Sequence, residues 1–393
     1  MPKILISCGE PSGDLYAGAL TAELRRLDPT VDVMGLGGEQ LRAGGARLLD
    51  DYRGLAVTGL VEALRVLPRS LGTYRRLVTA ARVERPDVFV AIDFPDFNFR
   101  VARRIKRFGI PILYYIPPQL WAWRAGRMRE LQAFADRVLV IFPFEEDLYR
   151  RAGIPVEFVG HPLIDLARAT TPRSPYLERL SLDPAAPVVA LLPGSRPNEV
   201  ARILPVLWQA ATRVGSAIPR TQFVVARAPH LHDDLFSAVP TIVGRKPTIV
   251  TSQTDDVLAA ADVAVAASGT ATVQAAIHGA PLVVVYRLSP LTYAIGRRFV
   301  RVSTYAMANL IAGRTIVPEL IQDACTPEAV ASEVLRYLTD PSHAAQTRAA
   351  LAEVRGRLGR GGASARAAAA ILEVARRAPA VHAAERDKPF HNR

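Results

Sequence analysis

The sequence predicts an α/β protein built from two doubly wound domains, with a helical C-terminus. Three observations predict this fold class. Short strand-like runs alternate with helical patterns along the chain, the alternation stops once at residues 162–186 and then restarts, and only helical patterns follow residue 326. Strands that alternate with helices form parallel sheets whose two faces are covered by those helices.

The first domain, residues 1–165, contains six runs that we predict as strands: KILISC, VDVMGL, VFVAID, ILYYIP, RVLVIF and VEFVG. Helical patterns lie between them, as at Gly13–Leu27, Phe97–Phe108 and Phe144–Ala152. Repeated strand–helix units of this kind predict a Rossmann-like domain.

A second Rossmann-like domain, residues 166–345, is predicted after the segment GHPLIDLARATTPRSPYLERLSLDPAAP, which is rich in Pro, Ser and Thr. Its strands are VVALLP, TQFVVA, PTIVTS, DVAVAAS and PLVVVY. An Ala- and Arg-rich helix is predicted around 342–378; from 346 to 378 it packs back or is swapped between chains, and 379–393 is a disordered tail. Ligands of such sheets bind at the carboxyl ends of strands near a reversal in strand order, so we expect a site in the cleft between two facing domains.

Composition excludes several classes of protein. Half of the residues are hydrophobic and 22% are charged, which is too apolar for a disordered chain. The two cysteines, Cys8 and Cys325, form neither a disulfide framework nor a metal-ligand cluster. The run Val263–Tyr286 lacks charged residues, but its polar residues predict strand, loop, helix and strand better than a membrane span.

The net charge of +12, almost all of it from arginine, favours anionic partners. An ordinary solvated surface explains it as well. Anionic small molecules or an anionic membrane surface are the alternatives that we retain, because no nucleic-acid-binding motif or basic tail is present.

Polar motifs follow several predicted strands. In SCGEPSGDLYAG, Gly9 and Gly13 permit close backbone approach, and we expect Ser12 or Asp14 to cap the next helix. A well-capped turn explains this motif equally well, and it lacks the G-x-G-x-x-G pattern of dinucleotide-binding proteins.

Two motifs of the second domain place small and hydroxyl residues before a helix, where free N–H groups and the helix dipole attract anions. These residues are Gly194 and Ser195 in LLPGSRPNEVARIL, and Ser268, Gly269 and Thr270 in AASGTATVQAAIHG. Arg196 adds a cation that suits phosphate oxygens, and Glu199 is close to a capping-box position. Gln274, about one turn further on, is within reach of a sugar hydroxyl. Together the motifs predict a nucleotide diphosphate site, although simple capping explains each of them alone.

The run VAIDFPDFNF places Asp93 at the carboxyl end of a buried strand, close to Pro95. We expect Asp93 to be extended there and to act as a general base for a hydroxyl nucleophile. Asp96 and Asn98 begin the next helix, where an acid offsets the helix dipole. In YYIPPQLWAWR, Trp121 and Trp123 form an aromatic loop that either has a binding role or packs onto the domain.

Seven motifs carry a family resemblance: GEPSGD, IDFPDFN, QLWAWR, FVGHPLID, LLPGSRPNEV, SGTATVQ and ANLIAGR. In order and spacing they resemble lipid-A-disaccharide synthase over about residues 3–375. That resemblance implies the GT-B fold and an inverting hexosyltransferase of glycosyltransferase family 19 that uses neither metal nor cofactor. It implies that UDP-2,3-diacylglucosamine and 2,3-diacylglucosamine 1-phosphate (lipid X) are joined to give lipid A disaccharide 1-phosphate and UDP, in lipopolysaccharide synthesis.

The resemblance also implies a place and a partner. Members of the family are peripheral at the cytoplasmic face of the inner membrane, and some are homodimers. The segment Leu60–Arg85 mixes apolar residues with arginines and suits a membrane interface, although an amphipathic core helix explains it almost as well.

Roles follow from the resemblance position by position. It implies that Asp93 is the base that activates the acceptor hydroxyl and that Arg196 holds the diphosphate. The residues implied to bind the UDP-sugar are Gly194, Ser195, Arg196, Ser268, Gly269, Thr270, Gln274 and Asn309. Those implied on the acceptor side are Glu10, Ser12, Asp14, Asp96, Asn98, Trp121 and Trp123.

The sequence departs from the family at two positions: Gln274 replaces a common Glu, and Ala308 replaces a proline. We expect weaker binding of the UDP-sugar, with Gln274→Glu restoring affinity. Two alternative functions stay open: another GT-B enzyme of UDP-sugars, such as a UDP-N-acetylglucosamine 2-epimerase or the undecaprenyl-linked transferase of peptidoglycan synthesis, and a catalytically silent nucleotide-sugar binding protein.

Overall fold

The computed structural model describes residues 1–55, 60–118, 126–288 and 304–386. The chain divides into two compact units. Unit 1 comprises Met1–Pro162 and Gly359–Arg393, and unit 2 comprises Leu163–Leu358. The sequence placed the corresponding boundaries at 165/166 and 345/346.

Unit 1 is built on a parallel sheet of seven strands among the described residues. The strands are β1 (Lys3–Ser7), β2 (Asp32–Gly37), β3 (Arg47–Asp51), β4 (Val88–Ile92), β5 (Ile112–Tyr115), β6 (Arg137–Val140) and β7 (Val156–Phe158). Their order in the sheet is β3-β2-β1-β4-β5-β6-β7. The chain therefore reverses direction across the sheet at β1, between β2 and β4, which is the switch point where such sheets bind ligands.

Helices cover both faces of this sheet. They are α1 (Pro11–Leu27), α2 (Glu39–Ala43), α3 (Leu60–Glu84), α4 (Pro95–Lys106), α5 (Arg127–Phe134) and α6 (Pro143–Arg151). Proline is the first residue of α1, α4 and α6, a position where its missing N–H removes no hydrogen bond. In α4 the buried Phe97, Val101 and Ile105 recur at the helical spacing of four residues and join the core of the unit.

Unit 2 contains a second parallel sheet, of six strands among the described residues. The strands are β8 (Val188–Leu192), β9 (Gln222–Arg227), β10 (Thr248–Thr251), β11 (Val263–Ala267), β12 (Leu282–Tyr286) and β13 (Glu319–Ile321). Their order is β10-β9-β8-β11-β12-β13, so the switch point lies at β8, between β9 and β11.

The helices of unit 2 are α7 (Leu163–Leu166), α8 (Arg173–Arg179), α9 (Pro197–Ala217), α10 (Thr254–Ala260), α11 (Thr270–His278), α12 (Met307–Ala312), α13 (Pro327–Thr339) and α14 (Pro341–Arg357). Short 3-10 turns occur at Asp233–Phe236 and Gln322–Ala324. The apolar face of α9 joins the core of unit 2, where Val200, Ile203 and Leu207 belong to the same cluster as Val189 and Val225.

The last helix that the structure describes is α15 (Ala363–Arg386), which returns to unit 1 and packs along α1. Small side chains of this helix, such as Ala367 and Ala368, are buried. Arg376 pairs with Asp28 at 3.3 Å and Glu373 pairs with Arg137 at 2.8 Å. Residues 379–386 of the expected disordered tail belong to α15, and 387–393 lie outside the described residues.

The structure corrects the expectation of one helix over 342–378. Two helices, α14 and α15, replace it, and they are separated by Leu358–Gly362. Gly359 has φ 93°, and a Cβ there would lie 3.2 Å from the Cα of Gly160. A glycine is therefore needed where the chain enters unit 1 for the second time.

None of the helices that the structure describes is both long enough and apolar enough to span a membrane.

Candidate functional site

The loop after β1 lies at the switch point of unit 1. The expectation that Ser12 or Asp14 caps the following helix is wrong, because α1 already begins at Pro11 and both residues lie in its first turn. Glu10 is the N-cap residue. Asp14 is buried, and its carboxylate accepts N–H groups of Gly38 at 2.6 Å, Gln40 at 3.0 Å and Leu41 at 3.1 Å. Asp14 therefore holds the start of α2 beside α1 rather than presenting a carboxylate to a ligand.

Asp93 follows β4, the strand next to β1 in the sheet. Its side chain is partly exposed at the carboxyl edge of the sheet, as general-base chemistry requires. The expectation of an extended Asp93 is wrong, because its φ is 45°. Phe94, which precedes Pro95, is left-handed as well, with φ 50° and ψ 53°. A proline favours an extended conformation in the residue before it, so Pro95 does not account for the two left-handed residues before α4.

Asp96 and Asn98 point to opposite sides of α4, because two residues correspond to about 200° of helix rotation. Asp96 is exposed in the first turn and forms an ion pair with Arg127. Asn98 is fully buried, and its Oδ1 accepts the Ser7 hydroxyl at 2.6 Å. The predicted aromatic loop with Trp121 and Trp123 lies outside the described residues.

The loop after β8 lies at the switch point of unit 2. Gly194 has φ 125°, and a Cβ there would lie 2.7 Å from Oε2 of Glu199. That oxygen accepts the backbone N–H of Ser195 at 3.2 Å and of Arg196 at 3.3 Å. Glu199 thus supplies the half of a capping box that the sequence predicted, whereas the other half is impossible because arginine has no acceptor.

Arg196 is the N-cap residue of α9, and its guanidinium lies 3.2 Å from Oε1 of Glu199. Its side chain is about one-third exposed, at 34%. Sequence reasoning missed His230, which follows β9 and whose Nε2 lies 2.7 Å from the carbonyl oxygen of Ser195. The strand order brings His230 to this loop, because β9 pairs with β8.

A second helix start lies beside the first. Strand β11 pairs with β8, so the residues that follow both strands lie at the same edge of the sheet. Ser268 donates its hydroxyl to the carbonyl of Tyr305 at 3.1 Å, and Gly269 and Thr270 are exposed. The N-cap residue of α11 is Gly269, which has no side chain to bind the N–H groups of the first turn. Those groups therefore favour an anion from outside the helix.

The side chain of Gln274 is hydrogen-bonded to Asp255, a partner that the sequence did not predict. Its Nε2 donates to Oδ1 of Asp255 at 3.0 Å, and Nε2 of His278 lies 2.9 Å from the same oxygen. The only local signal was the spacing of Gln274 and His278, four residues apart on one helix face.

Asn309 is buried, and its amide is used entirely inside unit 2. Its Nδ2 donates to the carbonyl of Val317 at 2.9 Å and to Oε1 of Glu319 at 2.7 Å, and its Oδ1 accepts the N–H groups of Ile316 and Val317. These four bonds exhaust the hydrogen-bonding capacity of the amide. Asn309 therefore orders the loop before β13.

Across the described residues, no three His, Cys, Asp or Glu side chains form a group that could hold a metal ion.

Solved structures with a similar fold include a UDP-GlcNAc 2-epimerase and a glycotransferase. A UDP-GlcNAc 2-epimerase from Neisseria meningitidis bound to UDP-GlcNAc matches with a TM-score of 0.66 and 14% identity, over 94% of this chain and 100% of that chain. The glycotransferase of kitacinnamycin matches with a TM-score of 0.63 and 20% identity, over 95% of this chain and 99% of that chain. At such identities the likeness is one of fold, and it confirms the predicted GT-B class.

The two parallel sheets and their switch points thus define a protein of the GT-B fold class. A family model described as Lipid-A-disaccharide synthetase matches residues 4–374. The lipid-A-disaccharide synthase of Geobacter metallireducens is 43% identical over 375 residues, 95% of this chain and 97% of that protein. That of Koribacter versatilis is 44% identical over 383 residues, 96% of this chain and 100% of that protein. The chain belongs to the lipid-A-disaccharide synthase family, which confirms the resemblance of the seven motifs.

Proposed function

We propose that this chain transfers the sugar of UDP-2,3-diacylglucosamine to 2,3-diacylglucosamine 1-phosphate and releases UDP. The observation that carries the mechanism is the position of Asp93, a partly exposed carboxylate at the carboxyl end of β4 beside the switch point of unit 1. Asp93 takes the proton of the acceptor 6-hydroxyl as the oxygen attacks the anomeric carbon. The bond from that carbon to the UDP oxygen breaks, and the configuration inverts to give a β-1,6 linkage.

Unit 2 binds the nucleotide in this proposal. Arg196 and the N-termini of α9 and α11 stabilise the negative charge that develops on the departing diphosphate. The pairing of β8 with β11, which brings both helix starts to one edge of the sheet, supports their binding of one diphosphate. The reaction then needs no metal ion or other cofactor.

Attachment to the cytoplasmic face of the inner membrane is part of the proposal. On α3, Leu67 and Leu71 are 52% and 46% exposed, and they lie one turn apart on the same face. Arg69 and Arg75 are exposed on the same stretch of helix. Exposed apolar side chains with arginines beside them fit the surface of an anionic bilayer, where the lipid substrates reside.

The test is UDP release by purified protein given UDP-2,3-diacylglucosamine, with and without lipid X. We expect release that requires lipid X and that falls about 10²–10⁴-fold in Asp93→Asn, because general-base catalysis contributes that much. Asn keeps the size of the side chain and tolerates the left-handed conformation, so the loss reports the carboxylate.

Asp87→Asn is the matched control. Asp87 lies at the opposite end of the same strand, where its carboxylate accepts the N–H of Lys3 at 2.8 Å. It should retain the parental rate. Release without lipid X would favour the epimerase alternative, and UDP binding without any release would favour the silent binding protein.

A further inference from the structure

The backbone at Asp93 adopts a conformation that its sequence does not favour. Asp93 and Phe94 are consecutive non-glycine residues with positive φ, 45° and 50°. Isolated aspartates visit this region occasionally, whereas a bulky residue such as phenylalanine rarely does. Such conformations persist only where the surroundings hold them, and they cluster at functional sites.

Three hydrogen bonds hold the peptide groups of Asp93. Its N–H donates to the carbonyl of Ile116 at 3.2 Å. Its carbonyl oxygen accepts the hydroxyl of Tyr114 at 2.7 Å and Nδ2 of Asn98 at 2.8 Å. Both lone pairs of the carbonyl are therefore directed by side chains from two different elements, β5 and α4.

Asn98 also links the backbone at Asp93 to the neighbouring strand, β1. Its Nδ2 lies 3.1 Å from the carbonyl of Ser7 and 3.3 Å from that of Ile92, and its Oδ1 accepts the Ser7 hydroxyl at 2.6 Å. The carboxyl ends of β1 and β4 are thus fixed to each other and to the start of α4.

The hydroxyl of Tyr114 is the donor in its bond to Asp93. Tyr114 is fully buried, and burial first, then the negative charge of Asp93, raises the pKa of its hydroxyl well above the ordinary value. Because a tyrosine hydroxyl ordinarily has a pKa of about 10, the raised pKa of Tyr114 keeps its hydroxyl a hydrogen-bond donor at neutral pH.

We propose that Tyr114 and Asn98 are positioning residues that lock the backbone of Asp93 in its left-handed conformation and thereby aim its carboxylate at the acceptor hydroxyl. This inference rests on the proposed function, in which Asp93 is the base. Both side chains are buried, and each acts through its hydrogen bond to the main-chain carbonyl of Asp93.

Tyr114→Phe tests the inference, because it keeps the buried ring and removes only the hydroxyl. We expect kcat for UDP release to fall about 10–100-fold with KM for the UDP-sugar unchanged, since a misplacement of about 1 Å costs this much. Tyr149→Phe is the matched control: its buried hydroxyl donates to the carbonyl of Pro118 at 3.1 Å in the same unit. It should leave kcat unchanged.

A double-mutant cycle with Asp93→Asn decides whether Tyr114 acts through Asp93, with residual release measured at high enzyme concentration. We expect Tyr114→Phe to add no further loss in the Asp93→Asn background. A full additional loss there, or equal rates for Tyr114→Phe and Tyr149→Phe, would overturn the inference while leaving Asp93 as the base. Full activity in Asp93→Asn itself would reject the base, and the inference with it.

Asn98→Ala provides a second variant. It should lower kcat and leave KM for the UDP-sugar unchanged. Its thermal unfolding should also be measured, because a buried amide is lost. A kcat that stays at the parental value in folded Asn98→Ala would contradict the role of Asn98.

Discussion

Gln274 donates its amide N–H to Oδ1 of Asp255 at 3.0 Å, so the glutamine that departs from the family pattern lies against a carboxylate. His278 lies 2.9 Å from the same oxygen. A glutamate at 274 would bring two carboxylates together at this distance. The amide at 274 is therefore matched to Asp255, and the two positions must be considered as a pair.

We expect the single variant Gln274→Glu to lose stability and to gain no affinity for UDP, contrary to the expectation from the sequence alone. A hydrogen bond to a charged group contributes about 1.5–3 kcal/mol, and here repulsion would replace it. In Gln274→Glu with Asp255→Asn the donor and acceptor are exchanged, so stability should recover. Thermal unfolding and calorimetric titration with UDP measure both effects. A single variant as stable as the parent would contradict this account.

Gly194→Ala should weaken both unit 2 and its nucleotide binding. The φ of 125° disfavours any side chain, and the new Cβ would lie 2.7 Å from Oε2 of Glu199, which holds the N–H groups of Ser195 and Arg196. We expect a loss of about 1–3 kcal/mol in the free energy of unfolding, and UDP affinity should fall with it.

Gly244→Ala separates the effect of backbone strain from the effect of the clash with Glu199. Gly244 also has positive φ, 76°, but nothing lies within 4 Å of the position of its Cβ. It should reduce stability through backbone strain alone and leave the UDP affinity unchanged. Equal UDP affinities for the two variants would show that Glu199 does not order the loop.

His161 should make unit 1 sensitive to acid. Burial lowers its pKa from 6.5 to about 3, so below pH 6.5 the unfolded chain binds a proton that the folded chain does not. The free energy of unfolding should therefore be greatest above pH 6.5 and fall as the pH drops toward 3. Between pH 7.5 and 5.5 the loss should be about 1.4 kcal/mol.

Denaturant unfolding of the parent and of His161→Gln at both pH values measures this effect. The variant should lose that part of the pH dependence. His232→Gln, at an exposed histidine of unit 2, should keep it. Identical slopes for the parent and His161→Gln would show that His161 is protonated equally in both states.

Replacing Leu67 and Leu71 together by serine should weaken binding to anionic vesicles, because their exposed side chains contribute apolar area to the interface. Co-sedimentation with vesicles that contain phosphatidylglycerol measures the binding. Val83→Ser is the control, since Val83 is 73% exposed on the same helix but on a different face. Equal losses in the two proteins would rule out the proposed surface.

The fold was predictable because the central strands are continuous apolar runs bounded by Gly and Pro, as in KILISC and VVALLP. The two strands that were missed, β3 (Arg47–Asp51) and β13 (Glu319–Ile321), lie at the edges of their sheets. They are only half-buried, so their sequences, RLLDD and ELI, lack the apolar run that marks a central strand.

The location of the site was predictable from the sequence, whereas the hydrogen-bond partners of its side chains were not. Parallel sheets bind ligands at the carboxyl ends of strands, which directs attention to Asp93 and Arg196. The bonds made by Asp14 with Gly38 and by Asn98 with Ser7 join residues 24 and 91 positions apart, and no local pattern shows such partners. Glu199 was predicted because its partners are three and four residues away.

The return of α15 to unit 1 affects the order in which the two units can fold during synthesis. Residues 1–162 leave the ribosome first, and the helix that covers α1 follows only after all of Leu163–Leu358. At a translation rate of about 5–20 residues per second, the nascent unit waits roughly 10–40 s for its last helix. Unit 2 is continuous in sequence and is complete before that helix is made. The domain synthesised second is therefore the first that can finish folding.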